Sequence, residues 1–445
     1  MEIDNEKEKD IGNPNNLKFF NDIIMNIGDT DPSWLSLLEL QKDGTLKKML
    51  NNYILILQNH PAFKCKIKYN KFAYRIDKVA EILDMEIGAW TDTDTLSFRQ
   101  WLNQNFKSDA SNEILNDAVL RFASLNSYHP IKNYIKSLSW DGVERLNTWI
   151  LNFLNPEVKN TKHEVYIQKV SSLFLGAAIK RIFEPGCKVD NIFLFQGRQG
   201  IGKSLTMQML AIKPEWFANV YMSDITNKDI FIMLRGKWII EFPEMYSFHR
   251  SKNEAIKQFI TSQVDTYRPP YGRNSQDFPR QSIFVATTNQ YEHHDDETGY
   301  RRFLPISLTD NIKIDELKEV IPQLYAEAYT YYLKDHFDRL YIDDSESIEV
   351  AYQEQMNCMF DDPWMPEIEE FLLVRDKTTI IEIMERILNF HDKKDQSKTN
   401  QMRISKILRL LGYAKKTSWE NGKTVKVWEK GGKGGKVVRD EFGTI

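Results

Sequence analysis

A glycine-rich segment near the middle of the chain constrains the fold more than any other part of the sequence. Residues 191–204, NIFLFQGRQGIGKS, begin as an apolar strand and continue into a loop of the form G-x-x-x-x-G-K-[ST]. The residues that follow have the apolar spacing of a helix. Strand, glycine loop and helix in this order are typical of a phosphate-binding loop. The segment therefore predicts a site for ATP or GTP.

Each residue type in this loop suits a different part of a nucleotide. Gly197, Gly200 and Gly202 would let backbone N–H groups turn toward phosphate oxygens. Lys203 would reach the β- and γ-phosphates, and the hydroxyl of Ser204 would ligate Mg²⁺. ATP and Mg²⁺ are thus the expected cofactors.

The length and composition are those of a globular protein with several domains. The 445 residues correspond to about three units. Because no run of about 18 apolar residues exists, no membrane span is expected. The acidic N-terminus lacks the apolar core of a secretory signal, and the three cysteines form no C-x-x-C pair. These features predict a location in the reducing cytoplasm.

Carboxylates are expected at the end of a second buried strand. Residues 237–241 form the apolar run KWIIE, and Glu244 follows three residues later. Open parallel sheets bind their ligands at the carboxyl ends of the strands. One acid would hold Mg²⁺ and the other would act as the catalytic base. We assign Glu241 to the metal and Glu244 to the base, and the two roles could be exchanged.

A third buried strand and an arginine pair extend the same predicted site. Residues 281–289, QSIFVATTN, end in Asn289, whose amide could orient the attacking water. Arg301 and Arg302 lead directly into the apolar run FLPISL. Arginine supplied to a neighbouring active site stabilises charge on a transferring phosphoryl group. An ordinary surface ion pair is the alternative for these arginines.

Between the second and third strands lies a segment rich in arginine and tyrosine. Residues 264–280 read as a hairpin or an extended loop that carries Arg268, Tyr271, Arg273 and Arg280. Guanidinium groups with interleaved aromatic rings suit single-stranded DNA, because they pair with phosphates and stack on bases. A rigid, proline-rich structural loop would have the same composition.

The C-terminal part has the order of a winged helix-turn-helix domain. A helix from Ile380, a second helix capped by Thr399 or Asn400, and a hairpin around residues 420–422 follow one another. Residues 391–440 carry 14 Lys/Arg against 5 Asp/Glu, which favours a polyanionic partner. The second helix would read the DNA major groove. A structural or protein-binding winged helix is the alternative. The candidate contacts are Arg403, Lys406 and Arg409.

The predicted fold class is α/β, with a parallel sheet and flanking helices in the core. An α+β domain precedes this core, with a hairpin around Asn70, and a winged helix follows it. A long helix over 161–183 leads into the nucleotide strand. The expected divisions are a disordered tail over 1–16, an α+β domain over 17–128, the core over 129–362, the winged helix over 363–430 and a flexible basic tail over 431–445.

Several motifs together resemble one family of replication proteins. GRQGIGKS, LRGKWIIEFPE, YRPPYGR, FVATTN and GYRRF, in this order, are similar to the virulence-associated E family of bacteriophages and phage-related islands. HPIKNYIKSLSWDG, just upstream, resembles the segment before the ATPase core in that family. The resemblance covers about residues 125–365 and implies a superfamily 3-like helicase of the AAA+ class.

The resemblance also implies roles for the residues above. Lys203 and Ser204 match Walker A, Glu241 and Glu244 match Walker B, and Asn289 matches the sensor. One of Arg301 and Arg302 would be a finger acting in trans, which implies a ring, usually a hexamer. The Arg268–Arg273 loop would grip the single strand. The sequence departs from the pattern of adjacent Walker B acids, since it reads Glu-Phe-Pro-Glu.

Two functions follow from these predictions. The first is an ATP-dependent DNA helicase and replication initiator of a phage or mobile genetic island, which binds origin duplex, grips single-stranded DNA and unwinds as a homo-oligomeric ring. The alternative is a nucleotide-regulated DNA-binding protein that oligomerises at an origin without processive unwinding. Unwinding of forked DNA discriminates between them.

Overall fold

A computed structural model of the chain describes residues 31–430, apart from residues 222–223, 226, 228, 244–257, 269–273, 290–301, 358–363, 393 and 421–422. The predicted tails over 1–16 and 431–445 lie outside the described residues. The helices are α1 (Leu50–Asn59), α2 (Asp92–Phe106), α3 (Asn112–Leu125), α4 (Pro130–Ser137), α5 (Trp149–Phe153), α6 (Thr161–Phe183), α7 (Lys203–Leu210), α8 (Ile230–Met233), α9 (Ile314–Tyr332), α10 (Ser345–Asn357), α11 (Met365–Leu372), α12 (Ile380–Arg386) and α13 (Lys398–Leu410). The strands are β1 (Ile67–Asn70), β2 (Arg75–Lys78), β3 (Gly88–Ala89), β4 (Ile192–Gln196), β5 (Phe217–Asn219), β6 (Ile239–Pro243), β7 (Val264–Tyr267), β8 (Gln276–Pro279), β9 (Ile283–Thr288), β10 (Phe303–Ser307), β11 (Lys377–Thr378), β12 (Tyr413–Glu420) and β13 (Lys423–Lys430).

The first part of the chain packs α1–α3 beside the three-stranded sheet β1-β2-β3. Its hydrophobic cluster draws only on residues between Trp34 and Ala123. β1 and β2 are antiparallel, so the predicted hairpin around Asn70 is confirmed. The Asn70 side chain holds the turn, because its Oδ1 accepts from the backbone N–H groups of Phe72 and Ala73 at 2.9 and 3.0 Å.

The central element is a parallel sheet of five strands in the order β10-β4-β9-β6-β5. Its strands are apolar on both faces, as expected when helices cover both sides. The predicted strands of the core are thus confirmed, together with the mixed α/β class. The helix predicted over 161–183 is present with those bounds as α6.

Long helices pack on one face of this sheet and contribute to its main hydrophobic cluster. α6 and α9 pack against each other and bury Phe174, Trp238 and Tyr325 with the strands. Polar groups of this layer have partners, since Trp238 Nε1 donates to Ala178 O at 3.0 Å and Tyr325 Oη donates to Leu210 O at 2.6 Å. A rigid layer therefore supports the helix that follows the glycine loop.

The hairpin β7–β8 is inserted between β6 and β9 and forms a separate two-stranded sheet. It leaves the central sheet at the edge where the parallel strands begin, because Pro279 ends β8 shortly before β9 starts at Ile283. The hairpin interpretation of the Arg/Tyr-rich segment is therefore confirmed. Residues 269–273, at the turn, lie outside the described residues.

The last part of the chain has its own cluster of apolar side chains, contributed by residues between Trp364 and Trp428. The predicted order of helix, helix and hairpin is present, with β12 and β13 antiparallel. Two elements were not predicted: α11, and the short strand β11, which pairs with β13. The cap prediction was wrong. Ser397 caps α13, because its hydroxyl accepts from the Asn400 backbone N–H, so the helix begins at Lys398.

Within the described residues, no helix is both long and apolar enough to span a membrane.

Candidate nucleotide site

The topology of the sheet creates a crevice at the carboxyl end of β4. From β4 the chain continues to β5, on the far side of β9 and β6. From β9 it continues to β10, on the opposite side of β4. Connections that leave neighbouring strands in opposite directions open a cleft at their carboxyl ends, where open α/β sheets bind ligands. The glycine loop, residues 197–202, lies at this switch point between β4 and β9.

Two glycines of this loop cannot be replaced without displacing their neighbours. Gly197 has a φ of 153°, and a Cβ atom there would lie 2.8 Å from the carbonyl oxygen of Leu308. Gly202, the residue before α7, has a φ of 100°, in the left-handed region that favours glycine. Its Cβ would lie 2.7 Å from a side-chain carbon of Ile314. Close packing against the segment after β10 therefore fixes the shape of the loop.

Lys203 is the first residue of α7 and points back into the loop. Its Nζ donates to the carbonyl oxygens of Gly197 and Arg198 at 2.7 and 2.8 Å, and to Asn289 Oδ1 at 3.1 Å. Burial lowers the pKa of Lys203, and the nearby carboxylate of Glu241 opposes that shift. The contact with Asn289 brings together the ends of β4 and β9, as the sequence predicted.

Glu241 lies inside β6 with a fully buried side chain. Its Oε1 accepts from Ser204 Oγ at 2.6 Å and from Thr287 Oγ1. Its Oε2 is buried and has no hydrogen-bond partner among the described residues. A buried carboxylate oxygen is costly unless a hydrogen-bond donor or a cation satisfies it. Glu241 Oε2 and the nearby Ser204 hydroxyl are therefore two oxygen ligands of the kind that Mg²⁺ prefers.

A cavity of about 430 Å³ lies in front of these groups. Lys203, Ser204, Thr287 and Asn289 contribute its polar wall, and Tyr221 and Pro243 close it on the side of β5 and β6. Its volume is within the range of small-molecule sites. The N-terminus of α7 adds positive potential at the same place. Residues, charge and space therefore fit a nucleotide with its divalent cation.

Of the other residues predicted for catalysis, the structure describes Arg302. Glu244 and Arg301 lie outside the described residues. Arg302 immediately precedes β10, whose first residue Phe303 pairs with Ile192, the first residue of β4. Arg302 is thus separated from the glycine loop by the length of β4, roughly 17 Å at about 3.3 Å per residue. It lies at the opposite edge of the sheet from Lys203.

The hairpin β7–β8 contains one correction to the sequence prediction. Arg268 follows β7 directly and is exposed, whereas Tyr271 and Arg273 are not among the described residues. Arg280 is 3% exposed, and its guanidinium pairs with Asp265. The same group stacks on Phe259 and Phe284, at 4.9 and 5.2 Å from their ring centroids. Arg280 therefore cannot reach DNA and instead fixes the base of the hairpin.

The C-terminal arginines are also partly engaged within the chain. Arg403 stacks on the Trp364 ring at 3.7 Å, and Arg409 lies 5.9 Å from the Trp428 ring. The side chain of Lys406 is not described. On the opposite face of α13, Ile404, Ile407 and Leu408 are fully buried, as their spacing predicts.

Thr287 was not predicted as a site residue. Its signal was present in the run FVATTN, because two threonines at the end of a buried strand place hydroxyl groups at the ligand-binding edge. Alternation along β9 separates the two, and only Thr287 reaches Glu241.

The profile of the virulence-associated protein E-like domain matches residues 135–359, about half of the chain. The chain belongs to this family. No curated protein matches the sequence.

Solved structures similar to this chain include forms of the NrS-1 C-terminal region. Its apo structure has 14% sequence identity and a TM-score of 0.41, and the alignment covers 82% of this chain and 96% of that one. The A form of the apo structure has 13% identity, a TM-score of 0.40 and the same coverage.

Proposed function

We propose that this protein is an ATP-dependent DNA helicase and replication initiator of a phage or mobile genetic island. Its core is a P-loop ATPase of the AAA+ class that works as a ring of six subunits in the host cytoplasm. The observation that carries the proposal is the arrangement at the carboxyl edge of a parallel sheet. Lys203, Ser204, Thr287 and Asn289 line one cavity there, and the hydroxyls of Ser204 and Thr287 donate to the buried carboxylate of Glu241.

Each residue of this group has a distinct task in hydrolysis. The nucleotide and Mg²⁺, when bound, supply the reacting phosphoryl group and the charge that stabilises it. Lys203 would pair with the terminal phosphates, and Ser204 and Glu241 would hold the cation. Thr287 fixes the carboxylate of Glu241 through its hydroxyl. Asn289 orients the attacking water, and Glu244 is the candidate base.

The position of Arg302 supports assembly into a ring. This residue lies at the amino edge of the sheet, far from the cavity of its own chain. An arginine that serves phosphoryl transfer from there must act on the site of a neighbouring subunit. Arg301 is the other candidate for the same role. A closed ring with head-to-tail contacts brings each amino edge to the next site.

Two further regions would contact DNA. The β7–β8 hairpin presents the exposed Arg268 directly after β7, and Tyr271 and Arg273 follow in the sequence. This segment would grip the single strand. The C-terminal helices and hairpin would bind origin duplex as a winged helix, with α13 in the major groove. Lys406 and Arg409 are its candidate contacts, and Arg403 adds charge from its stack on Trp364.

The first experiment compares Lys203→Ala with Lys42→Ala, a change at an exposed lysine outside the core. We expect Lys203→Ala to lower ATP hydrolysis by about 10²–10³-fold, the usual effect of removing a group that stabilises developing charge. Unwinding of a forked duplex should be lost with it. Lys42→Ala should retain both activities. Unimpaired unwinding by Lys203→Ala would contradict the proposal.

A second experiment distinguishes unwinding from nucleotide-regulated DNA binding. Combined alanine substitutions at Arg268 and Arg273 should abolish unwinding and leave binding of origin duplex intact, because the C-terminal domain would carry that binding. A wild-type protein that binds origin DNA and hydrolyses ATP but unwinds no forked substrate would favour the alternative function.

A further inference from the structure

The turn of the N-terminal hairpin β1–β2 is docked against the segment that leads into β9. Gln281 Nε2 donates to Lys71 O at 3.1 Å and to Tyr74 Oη at 2.9 Å. Tyr74 Oη in turn donates to Pro279 O at 3.0 Å, at the base of the β7–β8 hairpin. Arg235 donates to the carbonyl oxygen of Tyr74. These contacts fix the position of Lys71 relative to the ATPase core.

Gln281 also connects this turn to α4. Its Oε1 lies 2.8 Å from His129 Nε2, and His129 Nδ1 accepts from the Lys132 backbone N–H at 3.2 Å. One buried glutamine therefore links Lys71, on the N-terminal hairpin, to the first turn of a core helix. Lys132 lies one turn before Lys136 on that helix, so both side chains point to one side.

The side chains of Lys132 and Lys136 both lie against the same aromatic ring. Their Nζ atoms lie 5.6 and 6.0 Å from the centroid of Phe183, the last residue of α6. Lys71 and Lys136 are exposed, and Lys132 is half-buried. Burial lowers the pKa of Lys132, and the charges of Lys136 and Lys71 lower it further. Lys132 is therefore flanked by Lys136, which lies over the same ring, and by Lys71, whose backbone carbonyl Gln281 holds next to α4.

In the part of the chain that the structure describes, this cluster lacks acidic partners. Among the described residues, none of the three lysines forms an ion pair with a carboxylate. Lysines elsewhere in the chain do so: Lys78 pairs with Asp94, and Lys159 with Glu354. Like charges held together without counterions favour a polyanionic ligand, because its binding removes their repulsion and releases condensed cations.

We propose that Lys71, Lys132 and Lys136 form a contact surface for the DNA phosphate backbone beside the base of the β7–β8 hairpin. The surface exists only when the N-terminal hairpin is docked on the core, since one lysine comes from the first and two come from the second. It extends the path of a strand held by Arg268 and gives the N-terminal part of the chain a role in DNA binding. This inference rests on the proposed DNA-binding function.

The salt dependence of DNA binding tests this surface. The triple variant K71Q/K132Q/K136Q is compared with the wild type by fluorescence anisotropy, with oligo-dT in one arm and a short duplex in the other. A lysine that contacts a phosphate contributes about 0.7 to the slope of log K against log salt on a single strand. We expect the slope for oligo-dT to fall by about 2 when three such contacts are lost.

Two controls make the result specific. K42Q/K48Q/K318Q removes the same charge from three other exposed lysines and should keep the wild-type slope. K71R/K132R/K136R keeps the charge and should also keep it. An unchanged slope for the glutamine variant in both arms would overturn the surface while leaving the ATPase proposal standing. If the wild type bound neither DNA, the DNA-binding function itself would fail. If the slope of log K against log salt changed only with the duplex, the surface would bind duplex DNA and not the single strand.

Discussion

The two edges of the central sheet differ in whether residues of a single chain form a whole candidate site there. At the carboxyl edge, Lys203, Ser204, Thr287 and Asn289 line one cavity. Lys203 donates to Asn289, and Ser204 and Thr287 donate to the buried Glu241. At the amino edge, Arg302, the β7–β8 hairpin and the docked N-terminal turn lie around the starts of the strands. The first edge thus forms the cavity of the proposed nucleotide site from residues of one chain. The second presents groups whose proposed targets belong to other molecules.

This difference separates two kinds of mutational effect. A change at the carboxyl edge should inactivate the subunit that carries it. A change at the amino edge should act on a neighbour, on DNA, or on the docking of the N-terminal part. The following measurements test that division, beginning with the largest expected effect.

Mixing two inactive variants tests whether the edges serve one site in trans. Arg302→Ala should lower ATP hydrolysis by about 10³-fold or more, the usual contribution of an arginine finger. Lys203→Ala should be inactive for a different reason, since it lacks the ammonium group proposed to pair with the phosphates. Mixed rings contain some sites with an intact Lys203 facing an intact Arg302, so hydrolysis should recover in part after mixing and reassembly.

The Arg301→Ala variant serves as the matched control, since the proposal assigns the role of the finger to only one of the two arginines. Absence of recovery with either arginine variant would show that the finger does not act between subunits. Full activity of both single arginine variants would remove them from the mechanism.

Arg280 and Arg268 provide a second comparison, within the amino edge itself. Arg280→Ala leaves Asp265 buried without its partner, so the free energy of unfolding should fall by about 3–5 kcal/mol. Arg268→Ala, at an exposed position, should change it by less than about 0.5 kcal/mol. Urea denaturation measures both. If Arg280→Ala kept wild-type stability and lost only DNA affinity, the structural role of Arg280 would be wrong.

Acidification should destabilise the amino edge through His129. Burial lowers the pKa of His129 from 6.5 to about 4, so the fold favours the neutral ring that bonds to Gln281. The unfolded chain binds this proton below pH 6.5 and the folded chain does not until about pH 4. Stability from this group is therefore present above pH 6.5 and is lost as the pH falls toward 4, by on the order of 2 kcal/mol.

Unfolding measured between pH 7 and pH 4.5 for the wild type and His129→Gln checks this expectation. The glutamine variant should lose part of the slope of stability against pH. Equal slopes for the two proteins would show that His129 does not contribute.

The smallest expected effect concerns the docked turn. Tyr74→Phe removes the hydroxyl that bonds to Pro279 O and Gln281 Nε2, and should cost about 1 kcal/mol of unfolding free energy. Tyr341→Phe, at an exposed tyrosine, is the control. A loss of several kcal/mol, or none, would mean that the hydroxyl's contacts are not those described.

The core strands and the groups at their ends could be predicted because local rules determine them. A glycine loop between a strand and a helix, and polar residues where apolar strands end, identify the carboxyl edge without knowledge of the strand order. The role of Arg280 could not be predicted in this way. Its partner Asp265 lies on the other strand of the hairpin. The sequence is equally compatible with a buried pair of Arg280 and Asp265 and with an exposed Arg280.

Elements whose formation depends on distant partners were also missed. β11 has two residues and forms through its pairing with β13, some fifty residues later in the chain. No local sequence pattern therefore predicts it. The docking of Tyr74 on Pro279 joins residues separated by more than two hundred positions. The cap of α13 is a local feature, but three polar candidates, Ser397, Thr399 and Asn400, occur within four residues, and only the backbone geometry selects Ser397.

β9 connects the two edges and pairs with a strand on each side. All six of its residues are buried, and β4 and β6 flank it along its length. Amide protons in such a strand exchange with solvent only when the whole core opens, so β9 should be among the slowest-exchanging segments. A displacement of Gln281 before the start of β9 would therefore move Asn289 after its end through a shift of the intact strand, and not through local unfolding.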